Sequence, residues 1–405
     1  MTNIGTHDIK QLAFDFGTPL YVYDKQVIKQ NYEKLYNSFK QYYDKTKIHY
    51  SVKANSNIHI LRLFNEIGCG VDCSSPYEVL LAKHSGFSDN RIIYTGNYES
   101  LSDLSKLSDN RIKINLDDVS SFKRMNTIFK PEIISFRINP GIGKGGYEGI
   151  TTGGTDAKFG VPYEKASFAY QLAKDSGYKR FGIHMMTGSN NLEPYYFAQV
   201  VEKLMMIAGN IFDKIGAIPE YVDIGGGFGI PYEDDDEVLD IDLTAKLVTE
   251  VFQEKCQKYG FGTPDLLMEP GRYLVGNAGW LISKVTGVKH SYKHFVGIDS
   301  GMSTLLRPAL YGAKHRTYVY GKTVPEWNVN LCGQICENSD IFAKNVFLPQ
   351  IAENDIIIMS DVGAYGYAMS SNYNNRPRPA EVLIDEDSAE LIRRRENFED
   401  LLRLY

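Results

Sequence analysis

The chain has 405 residues, enough for two or three domains of about 150 residues and too many for a single small binding module. Its 44 Lys and Arg against 50 Asp and Glu leave a net charge of −6 with no long block of either sign, which removes the electrostatic case for a nucleic-acid or membrane-surface protein. A 43% hydrophobic and 23% charged composition excludes disorder over most of the length, and glycine alone leans high, at 36 residues. In chain order, residues 18–24 (TPLYVYD) read as a short strand. From about residue 26 to 288, short apolar runs then alternate with longer amphipathic stretches. The runs include 48–52, 91–94, 112–116, 132–138, 181–185, 221–224 and 266–268; helical patterns lie between several of them, at 57–68, 75–86, 163–177, 194–215 and 243–259. Such a βα repeat resolves into a parallel sheet covered by helices, and about eight units in about 260 residues fit a closed (β/α)8 barrel better than an open sheet. After residue 288 the texture turns to Tyr-, Val- and Ile-rich strands, which predicts an all-β domain over 289–405 that residues 1–25 can join.

The five cysteines are an odd number, thinly spread, in a chain too large to need staples, so a reducing, cytoplasmic setting is expected. No apolar run reaches membrane-spanning length, and residues 1–18 lack a signal-peptide core. Cys332 and Cys336 have no second pair to complete a zinc set, and His290 and His294 lack the Glu of a zincin helix, so no metal is assigned.

Four segments carry candidate chemistry. In HYSVKAN, strand alternation sends His49, Ser51 and Lys53 to one face, which in a barrel is the interior. Desolvation there lowers a lysine pKa and makes it a nucleophile; the alternative is a lysine snorkelling from a strand end. In YVDIGGGFGIPY, Gly225, Gly226, Gly227 and Gly229 follow an apolar strand and can close backbone N–H groups on a phosphate, or simply turn tightly. Neither this loop, with Ile230 where a glycine is required, nor the Gly141, Gly143, Gly146 series, which leads into another glycine-rich loop, is a dinucleotide fingerprint. In MEPGRYLV, Glu269 and Arg272 can serve a protonated ring nitrogen and an anion, or pair with each other. In CGQICENSD, Cys336 beside Glu337 suits a proton donor next to an ammonium-binding carboxylate, or a plain buried thiol.

Taken together and in order, TPLYVYD, YSVKAN, GCGVDCSSPYE, FRINPG, KFG, DIGGGFG, EPGRYLV, CENSD and GAYGYAMSSNYNNRPRPAEVL resemble the fold-type III pyridoxal-phosphate decarboxylases along nearly the whole chain. The resemblance implies that Lys53 binds the aldehyde of pyridoxal 5'-phosphate covalently, with Asp72 also at the cofactor. It implies that Gly225, Gly226, Gly227 and Ser189 hold the phosphate with Tyr365, and that Glu269 faces the pyridine nitrogen. Arg272, Arg307 and Tyr311 would clamp a distal carboxylate, Glu337 a distal ammonium, and Cys336 would return a proton to Cα. In such enzymes the cysteine and its neighbour arrive from a second subunit, so a homodimer with shared active sites is implied. The sequence departs from the pattern at GIHMMTGSN, where Met186 takes the place of a ring-stacking histidine and His184 lies two residues earlier. A methionine covers a ring face but carries no charge. The loop 141–160 also lacks the usual histidine. Within the family, the set Arg272, Arg307, Tyr311 and Glu337 favours an amino-acid substrate charged with both signs at its far end over a carboxylated polyamine or a carrier-linked amino acid. A cofactor-free regulator would be free to lose Lys53 and Cys336, and a racemase on a similar barrel would not explain CENSD.

Overall fold

The computed structural model describes residues 1–108 and 111–405, which divide into two compact units. The first spans Tyr32–Ile230 and Glu237–Tyr273; the second gathers Met1–Asn31, Pro231–Asp236 and Leu274–Tyr405.

The first unit is the expected barrel. Its parallel strands are β1 (Thr46–Ser51), β2 (Gly70–Cys73), β3 (Ile92–Thr95), β4 (Lys113–Leu116), β5 (Ile134–Asn139), β6 (Phe181–Met185), β7 (Pro219–Asp223) and β8 (Asp265–Met268). Each pairs with the next, and β8 returns to β1 through Leu266 opposite Thr46, closing the ring. Nearly every residue of these strands is buried, because the interior fills one face and the surrounding helices cover the other. Short polar residues start the helices: Asn57 accepts from the His59 N–H, Ser75 from Glu78, Asp118 from Ser120 and Ser121, Asp240 from Leu243. Gly216 and Gly260, both in the left-handed region, end the two longest, Pro194–Ile215 and Ile241–Tyr259.

The second unit is built on a sheet in which Leu20–Asp24 lies between Gly279–His290, antiparallel, and Ala380–Ile384, parallel. The N-terminal strand therefore joins strands from the far end of the chain, and Leu20 and Val22 pack in a core with Ile282, Ile358 and Val382. This unit also carries short helices, Ile9–Phe16, Arg307–Tyr311 and Phe398–Leu402, which the strand-rich texture did not foretell. No helix of the described residues is long and apolar enough to cross a membrane, and all five cysteines are free thiols.

Candidate active site

At the C-terminal mouth of the barrel, a polar side chain comes from the end of every strand: Ser51, Asp72, Thr95, Asn115, Arg137, His184 and Asp223, with Glu269 directly after β8. Register brings several side by side, Ser51 with Asp72, Thr95 with Asn115, and Arg137 with His184, which in turn meets Asp223. Apart from Thr95, which is half-buried, all are buried.

Lys53 stands not on β1 but in the single 3-10 turn Val52–Ala54 that follows it. Its Nζ donates to Asp72 Oδ2 at 2.6 Å and to Ser74 Oγ at 3.1 Å, and its side chain is 43% exposed. The ammonium thus sits at an open mouth beside a carboxylate, closer to the alternative of a lysine reaching out from a strand end than to a desolvated one. Asp72 is wholly buried; burial and the nearby Glu269 push its carboxyl up, and Lys53 opposes them.

Glu269 is held from two sides. His184 Nε2 lies 3.1 Å from its Oε2, and the Thr95 hydroxyl donates to Oε1 at 3.2 Å. Thr95 is itself braced by Asn115 Nδ2 at 3.0 Å, and Asn115 by the Tyr221 hydroxyl at 2.9 Å. Burial pushes the Glu269 carboxyl up, but His184 and Lys53 outweigh it and hold the group below the usual carboxylate range.

The glycine loop closes against this frame. The Glu269 N–H donates to Gly225 O at 2.8 Å, and a Cβ on Gly226 would stand 2.4 Å from Glu269 O. Gly225 and Gly227 have φ of +70° and +96°, conformations that favour glycine. The Gly226 N–H points at Met186 Sδ, 3.2 Å away, so Met186 packs on the loop instead of being left in solvent. Beside it, Arg272 is buried and donates to Ser189 Oγ at 3.3 Å. The loop 141–160 rests on the same turn: Lys144 N–H donates to Thr187 O, Gly146 N–H to Ser189 O, and Thr151 bridges to Gly188. Its far end is tied down by Gly160 N–H on Asp117 Oδ1 and by Arg137 stacked on Phe159.

A family model described as pyridoxal-dependent decarboxylase, pyridoxal binding domain, matches residues 29–276. The chain belongs to the pyridoxal-dependent decarboxylases. It is 43% identical to the diaminopimelate decarboxylase of Methanothermobacter thermautotrophicus over 99% of this chain and 94% of that one. It is 39% identical to the enzyme of the same name from Thermoplasma acidophilum, covering 99% and 96%. Among solved structures, it is similar to the diaminopimelate decarboxylase of Helicobacter pylori complexed with L-lysine, with a TM-score of 0.90 and 32% identity across 98% of this chain and 99% of that one. The cofactor of this decarboxylase family is pyridoxal 5'-phosphate, and the mouth of the barrel fits it. Gly225, Gly226 and Gly227 form a cradle in which a Cβ meets backbone or the Met186 sulfur, and Asp72 Oδ1 and His184 Nδ1 are buried with no partner of their own.

The second unit holds the remaining candidates. Arg307 is 1% exposed, with Nη1 3.0 Å from His315 Nε2 and its guanidinium 4.6 Å from the centre of the Tyr232 ring. Tyr311, half-buried, ends the same short helix, and Tyr365, also half-buried, has a φ of +58°, a strained conformation for a tyrosine. Cys336 and Glu337 are exposed; the Cys336 N–H donates to Asn374 Oδ1, and Glu337 accepts from the Tyr373 and Ser339 hydroxyls.

Motif reading alone assigned nothing to His184, Asp223, Thr95, Asn115 or Arg137. Each lies in the last two or three positions of its strand, a signal present in the sequence but diluted by other polar residues, such as Lys113, Ser135, Asn139 and Glu220, in strands only four to six residues long.

Proposed function

We propose that the chain removes the α-carboxylate of meso-2,6-diaminopimelate, releasing CO2 and L-lysine. Full-length identity of 43% and 39% to two diaminopimelate decarboxylases is the observation that carries this reading. The pyridoxal ring, when bound, accepts the electron pair left as CO2 departs.

The remaining roles fall to groups of the chain itself. Lys53, oriented by Asp72 and Ser74, would hold the cofactor through its aldehyde. Glu269, ionised and braced, keeps the ring nitrogen protonated. The N–H groups of the glycine loop, with Ser189 and Tyr365, bind the phosphate; Arg272, pinned to Ser189, serves that end of the site first. Arg307 and Tyr311, with Arg272, take the distal carboxylate, and Glu337 the distal ammonium. Cys336 delivers a proton to Cα. The exposure of Cys336 and Glu337 supports their completing the site of a second subunit in a homodimer, and five free thiols support a cytoplasmic setting.

The test is direct. The purified enzyme should be yellow, Lys53→Ala should abolish the absorption band, and meso-diaminopimelate should yield equal amounts of lysine and CO2. Turnover of ornithine or a carboxylated polyamine in place of meso-diaminopimelate would overturn the substrate and leave the cofactor chemistry standing.

A further inference from the structure

One group at the barrel mouth has no task in the reaction just described. Asp223, the last residue of β7, is 0% exposed. A carboxylate oxygen of Asp223, a ring nitrogen of His184 and a carboxylate oxygen of Glu269 all lie within 4.8 Å of one another, and all three residues are buried. Two carboxylates so close in a dry site cannot both ionise without a large electrostatic cost, so a proton or a cation must lie between them.

The hydrogen bonds decide where a proton would rest. Glu269 has a partner on each oxygen, His184 Nε2 and the Thr95 hydroxyl. Asp223 has one donor, the Gly225 N–H at 2.9 Å on Oδ1, while Oδ2 is buried with no donor in reach. Two bare carboxylate oxygens make no bond to each other; a proton on one turns the contact into a hydrogen bond. The better-solvated partner keeps the charge and the poorer one takes the proton.

We propose that Asp223 is a positioning residue that is protonated at rest and donates to Glu269, so that the pair carries a single negative charge aimed at the cofactor ring. The surroundings agree. Burial and the adjacent Glu269 push the Asp223 carboxyl well above the usual range, with Asp72 adding to them, while Glu269 is held low. His184 on β6 and Tyr221 and Lys113 deeper in the barrel are the other titratable groups facing it, and none donates to Oδ2. Glu269 then needs no second anion beside it, and its carboxylate is fixed from three directions by Thr95, His184 and Asp223. The same aspartate ties the glycine loop to the ring-nitrogen partner through the Gly225 N–H. This inference rests on the reading of Glu269 as the partner of the ring nitrogen.

Asp223→Asn and Asp223→Leu in the holoenzyme separate the possibilities. Asparagine can still accept from Gly225 and donate to Glu269, so cofactor affinity and kcat should stay within about threefold of wild type; leucine leaves Glu269 short of a donor, and both should fall about ten- to hundredfold. The infrared spectrum of the wild-type holoenzyme should contain a carboxylic-acid carbonyl band at neutral pH that Asp223→Asn removes. Absence of that band, equal damage by asparagine and leucine, or no effect of either would overturn the proposal. So would a stoichiometric metal ion in purified enzyme that Asp223→Asn releases. Failure of the underlying reading looks different: Glu269→Gln would leave the absorption spectrum of the bound cofactor unchanged, while the Asp223 band persisted.

Discussion

Replacing Gly226 by alanine tests the claim that the glycine loop is a cradle set by backbone contact. The added Cβ would lie 2.4 Å from Glu269 O, against the 3.4 Å at which ordinary contact begins, a shortfall of about 1 Å. The obstacle is backbone, not the end of a flexible side chain, so either the loop or the Glu269 segment must move. Forced overpacking of this kind costs about 1–3 kcal/mol, which for a unit of this size lowers Tm by about 2–12 °C. A displacement near 1 Å in a binding site costs about a hundredfold in turnover. The Gly226 N–H would also be turned away from its present direction toward Met186 Sδ. The assays are thermal unfolding of the cofactor-free and loaded protein and a titration of cofactor affinity by absorbance. Gly287→Ala is the control, because a Cβ there meets nothing within 4 Å. If Gly226→Ala bound cofactor as tightly as wild type and melted at the same temperature, the cradle argument would be wrong.

Three more outcomes are expected. Burial raises the Asp117 carboxyl to about 6 from an ordinary 3.8, so its contribution to stability is complete below about pH 4 and lost as pH rises through 6. Asp117→Asn should therefore equal wild type near pH 4 and exceed it by at most about 3 kcal/mol at pH 8 in urea unfolding; a pH-independent difference would refute this. Arg307→Lys keeps the charge but loses the fork that reaches His315 and stacks on Tyr232, so KM for diaminopimelate should rise about tenfold or more with kcat little changed. If the active site is shared, mixing inactive Lys53→Ala and Cys336→Ala subunits should restore about a quarter of wild-type activity through hybrid dimers with one native site, whereas independent sites would restore none.

The barrel was legible because seven apolar runs and their intervening helical patterns kept their periods, and most helices begin at a residue that caps by its own side chain, as Ser75 and Asp240 do. The glycine loop was legible because Gly225–Gly227 has no cheap structural substitute. Three features were not. The placement of the Lys53 ammonium depends on Asp72, which lies 19 residues away and meets it only once β1 and β2 pair. Arg307 owes its setting to Tyr232 and His315, a stack and a hydrogen bond that no local period announces. The His184, Asp223 and Glu269 cluster draws on β6, β7 and the segment after β8, so its proximity arises only when these neighbouring strands pair.

The tier of polar side chains around the mouth also bears on how the barrel finds its alignment. Side chains alternate along a strand, so sliding any one of them by a single residue exchanges its inner and outer faces. A slipped β2 would turn Asp72 outward among apolar helix contacts, and a slipped β6 or β7 would do the same to His184 or Asp223. Each error would strand a polar or charged group in a dry layer without a partner, at a cost of several kcal/mol. Groups gathered for chemistry thus double as register marks, one per strand, and the arrangement that can bind a cofactor is also the one in which none of the eight is misplaced.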